Sequence, residues 1–292
     1  MKKINKYLLP VIFISATGIF FLSALSLDIK EPSGYQIVKD MFVKARQITS
    51  LKYKMKKQER FDGKMQTQVT AVKVKYNPLS VYLRQESPKA GQEVLYVKGK
   101  NNNNALVNTN GFPWVNLNLD PMGSLARENQ HHTLYESGYA HLMSILEHLT
   151  SKYNKDIESM ISNSATLTWD GHACWVIEFS NPNFSYYQYT VKQGETILTI
   201  AERDKLSEYM ILEMNKKKVS SYTDVSAGQI ITVPNDYSPK MELYVDKTTN
   251  IPLVMKIYDD KGMYEFYEYF NVEINPTFKS NEFDKDFPEY HF

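Results

Sequence analysis

The segment of residues 189–234 constrains the fold of this chain most, because its pattern changes from β to α and back within 46 residues. A β-favouring run of residues ends at Gly194. Thr196 then stands at an N-cap position before apolar residues at helical spacing, Ile197, Ile200 and Ala201. The pattern predicts a short strand followed directly by a helix.

A second helix is predicted immediately after the first. Ser207 can cap it, and Leu206 before the cap is five residues from Ile211, the spacing of a hydrophobic staple. Asn215 ends this helix, a polar loop follows, and residues 229–233 form a strand that Pro234 stops. The segment therefore has the order strand, helix, helix, strand.

This order and spacing resemble the LysM domain, a carbohydrate-binding module of cell-wall proteins. The residues that carry the resemblance are Tyr189, Val191, Gly194, Glu195, Thr196, Ile200, Ala201, Ile211, Asn215, Gly228, Gln229, Ile231, Val233 and Pro234. The resemblance implies binding of N-acetylglucosamine glycans, chiefly peptidoglycan, in a shallow groove between the first strand-to-helix turn and the loop after the second helix. On this chain it assigns the groove to Gly194, Glu195, Thr196, Met214 and Asn215.

Two features of the segment depart from the family pattern. Family members often have Asp where this chain has Glu195, and the loop after the second helix carries Lys216, Lys217 and Lys218. An alternative therefore stays open, in which these residues only build turns and caps and the module is a spacer without a ligand.

Length and charge limit the class of protein. A chain of 292 residues that is 42% hydrophobic can form two domains, and a net charge of +1 gives no support to a nucleic-acid partner. Residues 39–100 contain 15 Lys or Arg against 5 Asp or Glu, and residues 235–292 contain 6 against 12. Either basic strands pair with acidic strands in one sheet, or the basic part faces anionic lipid or wall polymer.

The N-terminal 30 residues have the pattern of a targeting segment. Lys2, Lys3 and Lys6 precede an apolar run at residues 8–25, and small residues follow at a cleavage-like site. The run is also near the lower length limit for an uncleaved membrane anchor. We expect an exported protein of the periplasm or cell envelope in either case. The single cysteine, Cys174, lies in an apolar run and is expected to be a small buried side chain.

The remaining chain alternates between two periodicities. Residues 35–48 and 142–153 have the one-sided apolar stripe of helices, whereas most other segments alternate with period two. Turn signals such as Asp62-Gly63 and Asp170-Gly171 join neighbouring strands. A phase slip at Ala71-Val72 indicates a bulge. We predict an α+β fold with a large curved antiparallel β-sheet and covering helices, into which the βααβ module is inserted.

Residues 81–84, 88–97 and 119–121 resemble an exported bacterial family of unknown function, similar in fold to the lipoprotein carriers LolA and LolB. The resemblance covers roughly residues 35–182 and 239–274. It implies a half-barrel sheet whose concave side can hold acyl chains. We therefore divide the chain into the targeting segment 1–30, a discontinuous sheet domain of residues 31–186 and 235–292, and the LysM-like module 187–234, which we expect to be removable.

A long connection at residues 119–138 is the other candidate for function. Its residues 132–138 resemble a His-Pro-x-Thr-Glu-x-Gly run of the same family, of which His132, Glu136 and Gly138 are present. Together with Asp120 they form a possible functional loop. The chain has no nucleophile elbow, no phosphate-binding glycine loop and no CxxC pair, and its histidines lack the spacing of a helical zinc site.

Three functions remain compatible with these patterns. The preferred one is a non-enzymatic envelope protein that binds peptidoglycan and holds a lipid or lipoprotein acyl chain in its sheet, without a metal or cofactor and with no catalytic residues. A wall-associated enzyme that uses His132 and Glu136 is the second. A structural scaffold without a ligand in the sheet is the third.

Overall fold

The computed structural model describes residues 31–292, so the targeting segment of residues 1–30 and its apolar run 8–25 lie outside the described residues. Residues Pro32–Phe292 form one compact unit. In this part of the chain no helix is long and apolar enough to cross a membrane.

Thirteen strands are found in the described part of the chain. They are β1 (Ser50–Phe61), β2 (Lys64–Tyr76), β3 (Leu79–Ser87), β4 (Glu93–Val97), β5 (Ala105–Asn108), β6 (Leu117–Leu119), β7 (Ile161–Trp169), β8 (His172–Ser180), β9 (Tyr186–Thr190), β10 (Ile230–Pro234), β11 (Lys240–Asp246), β12 (Pro252–Asp259) and β13 (Gly262–Ile274). Eleven of them form one open antiparallel sheet in the order β6-β5-β4-β3-β2-β1-β13-β12-β11-β8-β7, and β9 pairs with β10. The predicted large antiparallel sheet is confirmed.

Tight turns connect the strands where the sequence predicts them. In the turn between β1 and β2, Asp62 and Gly63 both have positive φ, 48° and 77°, and Asp170 and Gly171 between β7 and β8 have 45° and 82°. Such turns match the twist of the strands they join. The predicted bulge exists but is displaced, because the register between β2 and β3 shifts between Val69 and Thr70 and not at Ala71-Val72.

Helices cover part of one face of the sheet. The helices are α1 (Gly34–Ala45), α2 (Ser124–Arg127), α3 (Ala140–Tyr153), α4 (Ile157–Met160), α5 (Ile197–Asp204) and α6 (Glu208–Asn215). Apolar residues of α1, α3 and α4 share one buried cluster with inward-facing residues of β1, β2 and β3, among them Ile37, Leu149, Leu51 and Val74. The C-terminal segment covers the opposite face, where Tyr290 stacks on Tyr82 with ring centroids 3.8 Å apart.

The charge asymmetry of the sequence is explained by strand pairing. Basic β1 lies next to acidic β13. Lys52 pairs with Glu273 at 2.8 Å and Lys56 with Glu268 at 2.9 Å. The basic and acidic segments therefore neutralise one another across adjacent strands.

The inserted module occupies the chain between β8 and β11. Thr196 and Ser207 cap α5 and α6 as predicted. Leu206 and Ile211 belong to a core that the module builds from its own residues, with Ile197 and Ile200 at its centre. The module also contacts the large sheet, because Met210 of α6 belongs to the main buried cluster.

Candidate ligand cavity

A cavity of about 370 Å³ lies on one face of the large sheet. Strands β1 to β6, β12 and β13 form its walls together with helix α3, the connection 121–138 and Tyr237. Its volume is within the range of sites for small molecules, about 300–1,000 Å³. A sheet whose inner face was filled by its own side chains would have no cavity of this size.

The inward-facing side chains change character along neighbouring strands. Because alternate residues of a strand face one side, each strand contributes a series spaced by two. In each strand the series runs from apolar to polar. The residues in that order are Tyr53, Met55, Lys57 and Glu59 in β1; Val72, Thr70, Gln68 and Gln66 in β2; Leu83 and Gln85 in β3; and Val94 of β4 with Gln92 just before that strand. One part of the cavity is thus apolar and the other is a polar band that crosses four strands.

His132 lies at the polar end and is held by two carboxylates. Its Nδ1 is 3.5 Å from Oε2 of Glu136, and its Nε2 is 3.4 Å from Oε1 of Glu265. The hydroxyl of Tyr237 lies 3.2 Å from the same Nε2 and donates to Glu265. Three elements thus position the ring: the connection 121–138, β13, and the residues before β11.

Burial and charge set the protonation of this group. Burial lowers the pKa of His132, but the charges of Glu265 and Glu136 and hydrogen bonds to both outweigh it, so this pKa lies well above 6.5. Burial raises the pKa of Glu136, yet the hydrogen bond and charge of His132 bring it down to about 2. The pKa of Glu265 is also lowered by His132 and His131 against the effect of burial. The group is therefore an ion cluster at neutral pH, in which Glu265 is fully buried and the side chains of His132 and Glu136 are 21% and 23% exposed.

A second carboxylate system lies beside the first. Glu59 is 2% exposed and accepts hydrogen bonds from Tyr267 at 2.8 Å and from the backbone of His131 at 3.2 Å, while Lys57 lies 3.2 Å away. Burial raises the pKa of Glu59, but the charges of Lys57 and His131 lower it by more, so the net shift is downward. Glu59 is therefore ionised within the wall of the cavity.

His131 connects the cavity wall to the inserted module. Its ring stacks between Tyr264 of β13 and Tyr209 of α6, with centroids 4.4 and 4.7 Å away. Nδ1 faces Glu265 at 2.8 Å and Nε2 faces the carbonyl oxygen of Arg60 at 3.0 Å. Both ring nitrogens therefore face oxygen atoms of the large sheet.

The other predicted loop residues have structural partners. Glu136 closes a capping box by accepting from the backbone of Thr133 at 2.5 Å. Asp120 is exposed and accepts from the backbone of Met122 at 2.9 Å, which forms a turn outside the ion cluster. Gly138 has a φ of 90°, and a side chain there would collide with the hydroxyl of Tyr76. The structure therefore brings together His132 and Glu136, but not Asp120.

The predicted glycan residues fall into two groups. Gly194, Glu195 and Thr196 form the turn before α5, where Glu195 accepts from Tyr189 at 2.7 Å and from Arg203 at 2.6 Å. Asn215 is buried, and its amide bonds Thr232 of β10 through both of its polar atoms.

Met214 packs against the main buried cluster. The first turn of α5 instead meets the loop after α6 at Tyr222, whose carbonyl oxygen accepts from Ile197 at 3.0 Å. The glycan assignment stays a prediction.

Sequence reasoning missed Glu59, Glu265 and Tyr237, which hold His131 and His132. A signal was present for the two carboxylates. Each occupies an inward position of a strand with period-two alternation, where an apolar residue is expected. A charged residue at such a position is buried with a partner or faces a cavity.

Cys174 is fully buried as expected, and burial raises the pKa of its thiol to about 11. Among residues 31–292, no group of three or more His, Cys, Asp or Glu side chains is arranged to hold a metal ion.

Family models match two parts of the chain. The model of the protein family of unknown function DUF1571 matches residues 48–198, and the LysM domain model matches residues 189–234. The chain belongs to the DUF1571 family and contains a LysM domain. The first match runs continuously into the start of the module and does not include residues 239–274. No curated protein matches the sequence.

Several solved structures are similar to this chain. The DUF1329 family protein from Desulfovibrio piger is 10% identical, with 87% of this chain and 96% of that chain covered and a TM-score of 0.34. The LolA superfamily protein from Nitrosomonas europaea is 11% identical, with 88% and 99% covered and a TM-score of 0.32. The lipoprotein LppX from Mycobacterium tuberculosis is 13% identical, with 83% and 96% covered and a TM-score of 0.39.

Proposed function

We propose that this protein is an exported, non-enzymatic envelope protein that holds the apolar chain of a lipid or lipoprotein in its cavity. Its LysM domain would attach it to N-acetylglucosamine glycans, chiefly peptidoglycan. The observation that carries the first half is the cavity of about 370 Å³, whose apolar part is built from residues such as Val72, Leu83 and Ile145. The LysM match at residues 189–234 carries the second half.

The ion cluster favours binding over catalysis. A general base must be able to accept a proton near the working pH. Because the pKa of His132 is raised and that of Glu136 is lowered to about 2, His132 already carries its proton and Glu136 is a weak base at neutral pH. A wall-associated enzyme based on His132 and Glu136 is therefore the weaker alternative. Muropeptide products that are formed by the unchanged protein and not by His132→Ala would favour the enzyme instead.

The lipid half is tested by filling the cavity. Leu83 faces the cavity from the middle of β3, and its neighbour Arg84 is exposed on the opposite face. Leu83→Trp should weaken the binding of an uncharged fluorescent probe, a dansyl-labelled fatty alcohol, because the indole occupies the apolar part. Arg84→Trp is the matched control and should bind the probe as the unchanged protein does. Equal binding by both variants would contradict a site in the cavity.

The glycan half is tested by sedimentation. The full chain should pellet with insoluble peptidoglycan, and free chitotetraose should release it because both ligands offer N-acetyl groups. Maltotetraose, which lacks N-acetyl groups, is the control and should not release it. Protein that stays in the supernatant would leave the module as a spacer without a ligand.

A further inference from the structure

The polar band of the cavity contains mostly uncharged hydrogen-bonding groups. Gln68 accepts from Gln130 at 3.2 Å and donates to the backbone of Asn129 at 3.3 Å. Thr70 donates to Gln85 at 3.0 Å, and Gln66 donates to Asn129 at 3.2 Å. Each amide offers two donors and two acceptor lone pairs, so these contacts leave part of its capacity for a ligand.

The cations of the lining are already neutralised. Lys57 lies beside Glu59, and His132 lies between Glu136 and Glu265. The remaining lysine of the lining, Lys89, is exposed at the rim, where solvent screens its charge. A phosphate or carboxylate placed in the polar band would be repelled by the ionised carboxylates. Of the residues that the structure describes, no buried cation there lacks a partner and could offset this repulsion. The band is therefore unsuited to an anionic head group.

One buried nitrogen in the wall has no partner in the described part of the chain. Nε2 of His141 is buried without a hydrogen bond, and the ring of His141 lies 4.8 Å from that of His132. Buried polar atoms are nearly always hydrogen-bonded, so an isolated one in a cavity wall indicates a polar ligand atom or water. It adds a further uncharged contact at the polar end, because burial and the charge of His132 lower the pKa of His141 to about 4.

We propose that the ligand of this cavity is a glycolipid, with its hydrocarbon chain in the apolar part and an uncharged sugar head in the polar band. This inference rests on the proposed lipid-binding function. Adjacent sugar carbons carry hydroxyls that each donate and accept, which fits the paired amides of Gln68 and Gln130 and the amide of Gln85 on the next strand.

The experiment compares three head groups that are attached to the same hydrocarbon chain. A dansyl-labelled fatty alcohol, a probe without a charged head group, is bound to the full protein and displaced by dodecyl glucoside, dodecyl phosphate or an N-dodecanoyl dipeptide amide, each below its micellar concentration. The glucoside should displace the dansyl probe at a concentration about tenfold lower than the other two, the effect of roughly two net hydrogen bonds. Gln68→Leu should abolish this preference while the dansyl probe still binds, which shows that the variant is folded.

Thr67→Val is the matched control. Thr67 precedes Gln68 in β2 and faces the other side of the sheet, where Gln58 donates to it at 3.0 Å. It should keep the preference for the glucoside. Equal displacement by all three amphiphiles, or stronger displacement by dodecyl phosphate, would contradict the proposed sugar head group. Binding of the hydrocarbon chain would still stand. Strongest displacement by the dipeptide amide assigns the site to acylated peptides instead. Failure of the dansyl probe to bind the unchanged protein overturns the proposed lipid binding itself.

Discussion

His132 is a charged side chain in the wall of a cavity, and its charge depends on two carboxylates, one nearby in the chain and one distant. Glu136 lies four residues away, whereas Glu265 is contributed by β13. An uncompensated buried charge costs several kcal/mol, so each member of the cluster stabilises the folded state through the others.

Replacing His132 should therefore destabilise the protein in a pH-dependent manner. His132→Gln leaves Glu136 and Glu265 facing a neutral amide, and the free energy of unfolding should fall by about 3 kcal/mol. The pKa of His132 is raised in the fold, so its contribution is complete below pH 6.5 and is lost as pH rises through the folded value. The pKa of Glu136 is lowered from 4.5 to about 2, so its contribution is lost as pH falls through that range. In urea unfolding, the loss of unfolding free energy caused by His132→Gln should be largest at pH values from 4.5 to 6.5.

His148 provides the control for this measurement. It lies on α3, and burial together with the charge of Lys152 lowers its pKa. His148→Gln should change the unfolding free energy by less than about 0.5 kcal/mol. If the unfolding free energies of His132→Gln and the unchanged protein differed more above pH 6.5 than below it, the ion cluster would be contradicted.

At the scale of elements, the short helix α2 connects the cavity to the LysM domain. Leu125 and Ala126 of α2 line the cavity. The next residue, Arg127, is 4% exposed, pairs with Glu208 of α6, and lies 4.0 Å from the ring centroid of Tyr222. A single helical turn thus contacts the cavity on one side and the LysM domain on the other.

Loss of the Arg127 contacts should weaken this connection. Arg127→Leu leaves the carboxylate of Glu208 mostly buried without its cation, so the unfolding free energy should fall by about 3 kcal/mol. Arg203→Ala is the control, because Arg203 pairs with Glu195 and Asp204 while 43% of its side chain is exposed. Exposed pairs contribute at most about 1 kcal/mol. Equal losses in chemical denaturation of the two variants would contradict a stabilising role of Arg127 in the interface.

The sequence predicts elements where the signal is local and misses them where the partner is remote. Thr196 and Ser207 are recognisable as caps because they bond within three residues. The strands β5 and β6 escape prediction because they are short and stand among asparagines without a periodic pattern. The contact between Glu59 and Tyr267 joins residues 208 positions apart, so only the folded sheet reveals it. The cavity residues were accordingly less predictable than the LysM domain.

For the whole molecule, the question is whether the LysM domain folds by itself or with the sheet. The module has its own core, which favours an independent unit that can be removed. Its helix α6 also places Met210 in the main core and Tyr209 against His131, and the hydroxyl of Ser207 lies 2.8 Å from that of buried Tyr264. These contacts favour one cooperative unit, because removal of the module would expose apolar surface and leave buried polar groups unpaired.

A substitution inside the module decides between the two cases. Ile200 is 0% exposed in the core of the module, far in sequence from the large sheet. Ile200→Ala should remove about 2–5 kcal/mol of stability. If the molecule unfolds as one unit, the tyrosine signal of the whole chain should melt in a single transition at a lower Tm. Ile230→Ala, at a position 51% exposed on β10, should leave the Tm unchanged. Two separate transitions in Ile200→Ala, with only the smaller one shifted, would instead make the LysM domain an independent unit that can be deleted without loss of the sheet.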